Sequence, residues 1–98
     1  MRLLEQQFEG RADQKAFRFR QLQRTDTAAL YAKSLKSGIG EESYEVIRIV
    51  KYPAETRRFG DRVVELDDRE AFPPPEQWGT SGWTYTTLED AKKRFYNL

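Results

Sequence analysis

Four carboxylates fall within six residues at Glu65, Asp67, Asp68 and Glu70. Carboxyl oxygens are the ligands hard cations prefer, so Mg²⁺ or Ca²⁺ binding is the chemistry this run offers. It lacks the glycine and the spacing of an EF-hand loop, and a solvated acidic turn is the favoured reading. Arg18, Arg20 and Arg24 share one parity, with Arg11 and Lys15 close by. Guanidinium groups at that spacing on a strand could track a phosphate backbone, and Tyr31 on the same face of the next strand would add a stacking platform. The plainer alternative is a charged outer face that keeps a sheet edge from aggregating. Trp78, Trp83 and Tyr85 follow the proline run Pro73–Pro75. Trp and Tyr dominate binding hot spots, so they are candidate recognition anchors; in a small domain at least one Trp ring is expected to fill the core instead.

The missing residue types exclude more than the present ones suggest. The 98 residues contain neither His nor Cys. Disulfides, thiolate nucleophiles, Cys-based zinc sites and the usual neutral-pH general base are therefore ruled out. A Ser or Thr nucleophile has no His to activate it. Gly38-Ile39-Gly40 lacks the rest of a phosphate-binding fingerprint. A non-enzymatic protein with no cofactor is expected. Net charge is only +1, although residues 1–40 carry 8 Lys/Arg against 4 Asp/Glu and residues 41–98 carry 9 against 12. That balance is too even for a nucleic-acid footprint. No apolar run approaches the ~20 residues that span a bilayer, and the start lacks a signal-peptide stretch, so a cytoplasmic protein without membrane contact is expected.

The elements that would position these residues read as one α+β domain over residues 14–98, after a poorly defined segment 1–13 in which Leu4 and Phe8 could share a helical face. Phe17 and Phe19 alternate with Arg18 and Arg20, the period of a half-buried strand. Thr25-Asp26-Thr27 turns into a second strand, Ala28 to Leu35. After the Gly-containing loop 37–43, Tyr44 to Tyr52 is β-branched and aromatic on both faces and reads as a central strand ended by Pro53. Residues 53–60 read as a loop and Arg62 to Leu66 as the fourth strand. The prolines keep 72–75 extended, and Trp83-Thr84-Tyr85 offers a short final strand. Thr87 is an N-cap with Asp90 three residues on, and Leu88, Ala91, Phe95 and Leu98 form one apolar helical stripe. The expectation is a four-stranded antiparallel sheet, a meander, with one C-terminal helix packed on one face.

Tyr44-Glu45-Val46-Ile47, Trp78-Gly79, Gly82-Trp83-Thr84-Tyr85, Thr87-Leu88-Glu89-Asp90-Ala91 and Phe95 resemble a group of small proteins from bacteriophages and other mobile elements. The resemblance spans roughly residues 16–98 and is most specific over 76–95. It implies an accessory protein that binds and modulates a host macromolecule, such as a nuclease or defence complex, and it names no activity. Trp78-Gly79, Gly82, Ala91 and Phe95 are also similar to the WGR domain, a DNA-binding module. Thr80 stands where the name-giving triplet has Arg, so this similarity is read as a shared packing solution. Two functions follow as expectations: an interaction protein with a protein partner, or a small nucleic-acid-binding module using the basic strand face.

Overall fold

The computed structural model describes residues 1–98. Nine strands and one helix follow in the order β1 (Gln7–Glu9), β2 (Phe17–Arg24), β3 (Ala28–Leu35), β4 (Ser43–Arg48), β5 (Val50–Tyr52), β6 (Glu55–Phe59), β7 (Arg62–Leu66), β8 (Arg69–Ala71), β9 (Gly82–Tyr85) and α1 (Leu88–Tyr96). The main sheet has five antiparallel strands, not four, in the order β1-β2-β3-β4-β9. β2, β3 and β4 form the part of the expected meander that is present, and β1, from the segment 1–13 that reads as poorly defined, adds an edge strand to it. The fifth is β9, and the expected fourth strand, Arg62 to Leu66, lies outside the sheet altogether.

β3 is the centre. Residues Ala28–Ala32 are all buried, so both faces of the sheet are covered there. On one face, Ala28, Leu30 and Val46 pack under Ala91 and Phe95 of α1, as the apolar stripe requires. On the other, Phe19, Ala29, Tyr31 and Ile47 lie beneath Leu4, Phe8, Phe72 and Trp78. The aromatic rings interlock there. Phe8 stacks on Phe19 at 4.8 Å, and Phe72 meets Tyr31 edge-on at 5.4 Å and stacks on Trp78 at 6.2 Å. The N-terminal segment supplies part of this cover: β1 pairs with β2, Phe8 opposite Phe19. Along β3 the small Ala28, Ala29 and Ala32 stand beside Leu30 and Tyr31, which with Val46 and Ile47 of β4 are the largest fully buried side chains.

Helix α1 begins at Thr87, whose hydroxyl accepts from the Asp90 N–H at 3.3 Å. Thr87→Ala is expected to cost about 1 kcal/mol and Thr87→Asn to be nearly neutral. Thermal denaturation of the two variants checks this; equal losses would assign Thr87 a role other than capping.

Between β4 and β9 the chain leaves the sheet. The central strand expected from Tyr44 to Tyr52 is broken at Ile49: β4 stays in the main sheet, while β5 pairs with β8 and β6 with β7 in two short ladders that follow one another along a single ribbon. Its register is continuous. Val50 opposes Ala71 and Tyr52 opposes Arg69 at the base; Glu55 opposes Leu66 and Phe59 opposes Arg62 at the far end. Pro53–Ala54 and Asp67–Asp68 break the ladder without adding a residue to either side. Gly60–Asp61 closes the tip. Gly60 has φ +59° and Asp61 is not among the positive-φ residues, as a two-residue type II′ turn requires. Residues 53–60, expected as a loop, thus contain strand β6. Glu-Thr-Arg-Arg-Phe has no buried face to reveal a period of two, and every residue of β6 is exposed.

Candidate functional site

The basic strand face does not assemble as its parity suggests. The pairing of β2 with β3 sets Arg18 opposite Ser34 and Arg20 opposite Ala32, then shifts between Gln21 and Gln23, so that Arg24 lies opposite Ala29. A bulge adds one residue and turns all later side chains over. Arg24 therefore points to the face opposite Arg18 and Arg20. The two that remain together are met by acids: Arg20 reaches Glu42 at 3.5 Å, and Arg18 sits opposite Glu9. Glu9 is itself held below the usual carboxylate range by the Lys36 ammonium 2.9 Å away.

Arg24 is a clamp. Its Nη1 and Nη2 donate to Glu70 Oε1 and Oε2 at 2.7 and 2.9 Å, and the Leu4 N–H donates to the same carboxylate. The Glu70 side chain is 2 % exposed. The bidentate guanidinium outweighs the cost of burial and holds the Glu70 carboxyl at about 2. Glu70 belongs to β8, so this contact fixes the base of the ribbon to the sheet. It also removes one member of the acidic run Glu65, Asp67, Asp68 and Glu70 to the interior.

Tyr31 is fully buried and cannot serve as a stacking platform. Its hydroxyl donates to the Glu5 carbonyl at 2.7 Å and accepts from Gln21 at 3.0 Å, and burial raises its pKa. Trp78 and Trp83 take opposite faces. Trp78 lies over Gly82, where any Cβ would come within 2.4 Å of its ring, and its indole N–H donates to Thr84 at 3.0 Å. Trp83 packs beside the helix, with the guanidinium carbons of Arg94 and Arg48 at 4.6 and 5.9 Å from its ring centroid. Arg94 also donates to the Tyr85 hydroxyl at 2.9 Å. Both indoles are half-buried and partnered, so Trp83 and Tyr85 form one group with α1 while Trp78 belongs to the other layer.

A cleft of about 1150 Å³ opens between the N-terminal segment and the sheet. On its floor Lys33 and Glu45 pair at 3.4 Å, with the ammonium 4.3 Å from the Phe17 ring centroid. Burial raises the Glu45 pKa, and Lys33 opposes that shift. The cation and the anion satisfy one another, which reads as a structural pair.

The feature with least structural purpose is the far half of the ribbon, an arm of roughly 17 Å at ~3.4 Å per residue. Phe59 and Val63 there are 58 % and 55 % exposed. Arg58 and Arg62 flank them, opposite Val63 and Phe59 respectively. Residues 55–66 carry three Arg against three acids. Sequence reasoning passed over Arg57, Arg58 and Phe59. The available signal was Gly60-Asp61, a two-residue hairpin turn with Gly first, between Phe59 and the apolar run after Arg62. Comparisons with protein-family models, curated proteins and solved structures give no match to this chain.

Proposed function

We propose that the chain is a non-enzymatic interaction protein that binds and modulates another protein through the tip of the β6–β7 arm. The carrying observation is the exposure of Phe59 and Val63 on an element whose extensive contacts are those between its own two strands. An aromatic residue flanked by arginines is the composition of a binding hot spot. Equal numbers of acids and bases on the arm favour a protein over a polyanion. The nucleic-acid reading loses support with the basic face, because Arg24 is spent on Glu70 and Arg20 on Glu42. No helix is long and apolar enough to cross a membrane. The partner class that fits the resemblance to small phage proteins is a nuclease or defence complex in the cytoplasm of a bacterial host.

The test uses the tagged chain and a Phe59→Ser/Val63→Ser variant as parallel baits in bacterial lysate, with and without nuclease. One protein complex is expected with the parent, unaffected by nuclease and lost with the variant, while both baits melt at the same temperature. Equal recovery by both overturns the assignment to the arm. Recovery abolished by nuclease overturns the protein-partner reading in favour of nucleic acid.

A further inference from the structure

The arm has two open edges, and one of them is complementary to itself. A two-residue turn closes on a pair that exchanges both backbone hydrogen bonds. Here that pair is Phe59 and Arg62. Alternation then turns the N–H and C=O of Arg57 and Glu55 toward β7 and those of Arg58 and Thr56 outward, along an edge with no partner. We infer that this edge pairs antiparallel with the same edge of a second copy of the chain, with Thr56 opposite Thr56 of the second copy and Glu55 opposite its Arg57. The inference rests on reading the arm as a docking element.

Symmetry and charge select this register. A two-fold axis perpendicular to the ribbon keeps each side chain on its own face, so one residue must lie opposite itself at the centre. Centres at Arg57 or Arg58 set guanidinium against guanidinium, and a centre at Glu55 sets carboxylate against carboxylate. Like charges directly opposite destabilise a ladder. A centre at Phe59 overlaps only the turn. A centre at Thr56 gives two Glu55–Arg57 pairs and a Thr–Thr pair, all favourable across strands. The existing Glu55–Arg57 contact within β6, at 2.9 Å, is exposed and changes partner at little cost. The charges on this edge thus reject the neighbouring registers and accept one. Pairing of five-residue strands buries less than the ~1200 Å² of a standard interface, so the dimer is weak.

Sedimentation equilibrium of the full chain from about 10 µM to about 1 mM, the range in which so small an interface is read, tests this. Dimer is expected at the upper end. Glu55→Arg and Arg57→Glu should each weaken it at least ~10-fold by placing like charges opposite, and the double reversal should restore it. Thr56→Pro should also give monomer, because it removes an outward N–H and leaves the β6–β7 ladder intact; an unchanged melting temperature confirms that the fold is kept. A parent chain monomeric throughout, or a dimer indifferent to both reversals, overturns the inference. Capture of a partner through Phe59 and Val63 is read separately. A monomeric parent that still captures its partner sinks the dimer alone, and a dimer that captures nothing sinks the docking reading alone.

Discussion

Phe95→Ala is expected to lower the unfolding free energy by about 3–5 kcal/mol, a large part of the 5–15 kcal/mol typical of a whole domain. Phe95 is 3 % exposed and closes one layer over Ala28, Leu30 and Val46. The fully buried residues around it cannot fill the space. Ala28 and Ala91 have no atoms to move inward, and Leu30 and Val46 stand on strands held by pairing on both sides. The cavity therefore persists and adds to the lost transfer energy. Denaturant midpoints of parent and variant measure the loss. An unchanged midpoint would show that α1 is not part of the cooperative core.

Arg24→Ala is expected to be as damaging, about 3–5 kcal/mol near neutral pH, for a different reason. It leaves the Glu70 carboxylate buried with the Leu4 N–H as its one remaining hydrogen-bond donor. The pH dependence distinguishes this from simple loss of packing. In the parent, Glu70 titrates at about 2, below the ordinary carboxylate range. A depressed carboxylate contributes stability that is present above its unfolded pKa and is lost as the pH falls toward its folded pKa. The parent should therefore lose stability between about pH 5 and pH 2. Without Arg24, only the Leu4 N–H and Lys51 oppose burial, so the Glu70 pKa rises from its parent value and the variant regains part of its deficit as the carboxyl protonates. Urea titrations at pH 7 and pH 4 should show the gap between the two proteins narrowing with acid. A gap that is constant or widens contradicts the assignment of Glu70 as the buried partner.

Where burial imposes a period, the fold is legible in the sequence. Phe17 and Phe19 predict β2, the apolar run from Tyr44 predicts β4, and Thr87 with Leu88, Ala91, Phe95 and Leu98 predicts α1. What is not legible depends on partners distant in sequence. Arg62 to Leu66 is a strand as expected, but nothing local says that it pairs with Glu55–Phe59 and that β9 takes its expected place beside β4. The bulge that parts Arg24 from Arg18 and Arg20 leaves Leu22 largely exposed on β2, and it has no signature beyond that misplaced leucine. Tyr31 was ambiguous because a polar-tipped ring suits both a surface and a core whose backbone and side chains satisfy its hydroxyl. Of the candidate site, Trp78, Trp83 and Tyr85 are structural neighbours of the core. The arm stayed hidden because a solvated hairpin has no periodicity to detect.

The interruption at Pro53–Ala54 and Asp67–Asp68 is expected to divide the molecule into two cooperative units. The proximal ladder is tied to the body by Arg24, Leu4 and Arg2, whose N–H and C=O bond to Asp68 and Glu70. The distal ladder has only its own two strands, and an isolated hairpin is marginal in water. Its amides are consequently expected to exchange with solvent through local opening, and those of β3 only on global unfolding. A protease that cuts only transiently open chain would nick residues 55–66 first and leave the five-stranded body intact. On the proposed reading, contact with a partner would complete the ordering of the arm, and part of the binding free energy would be consumed in completing it.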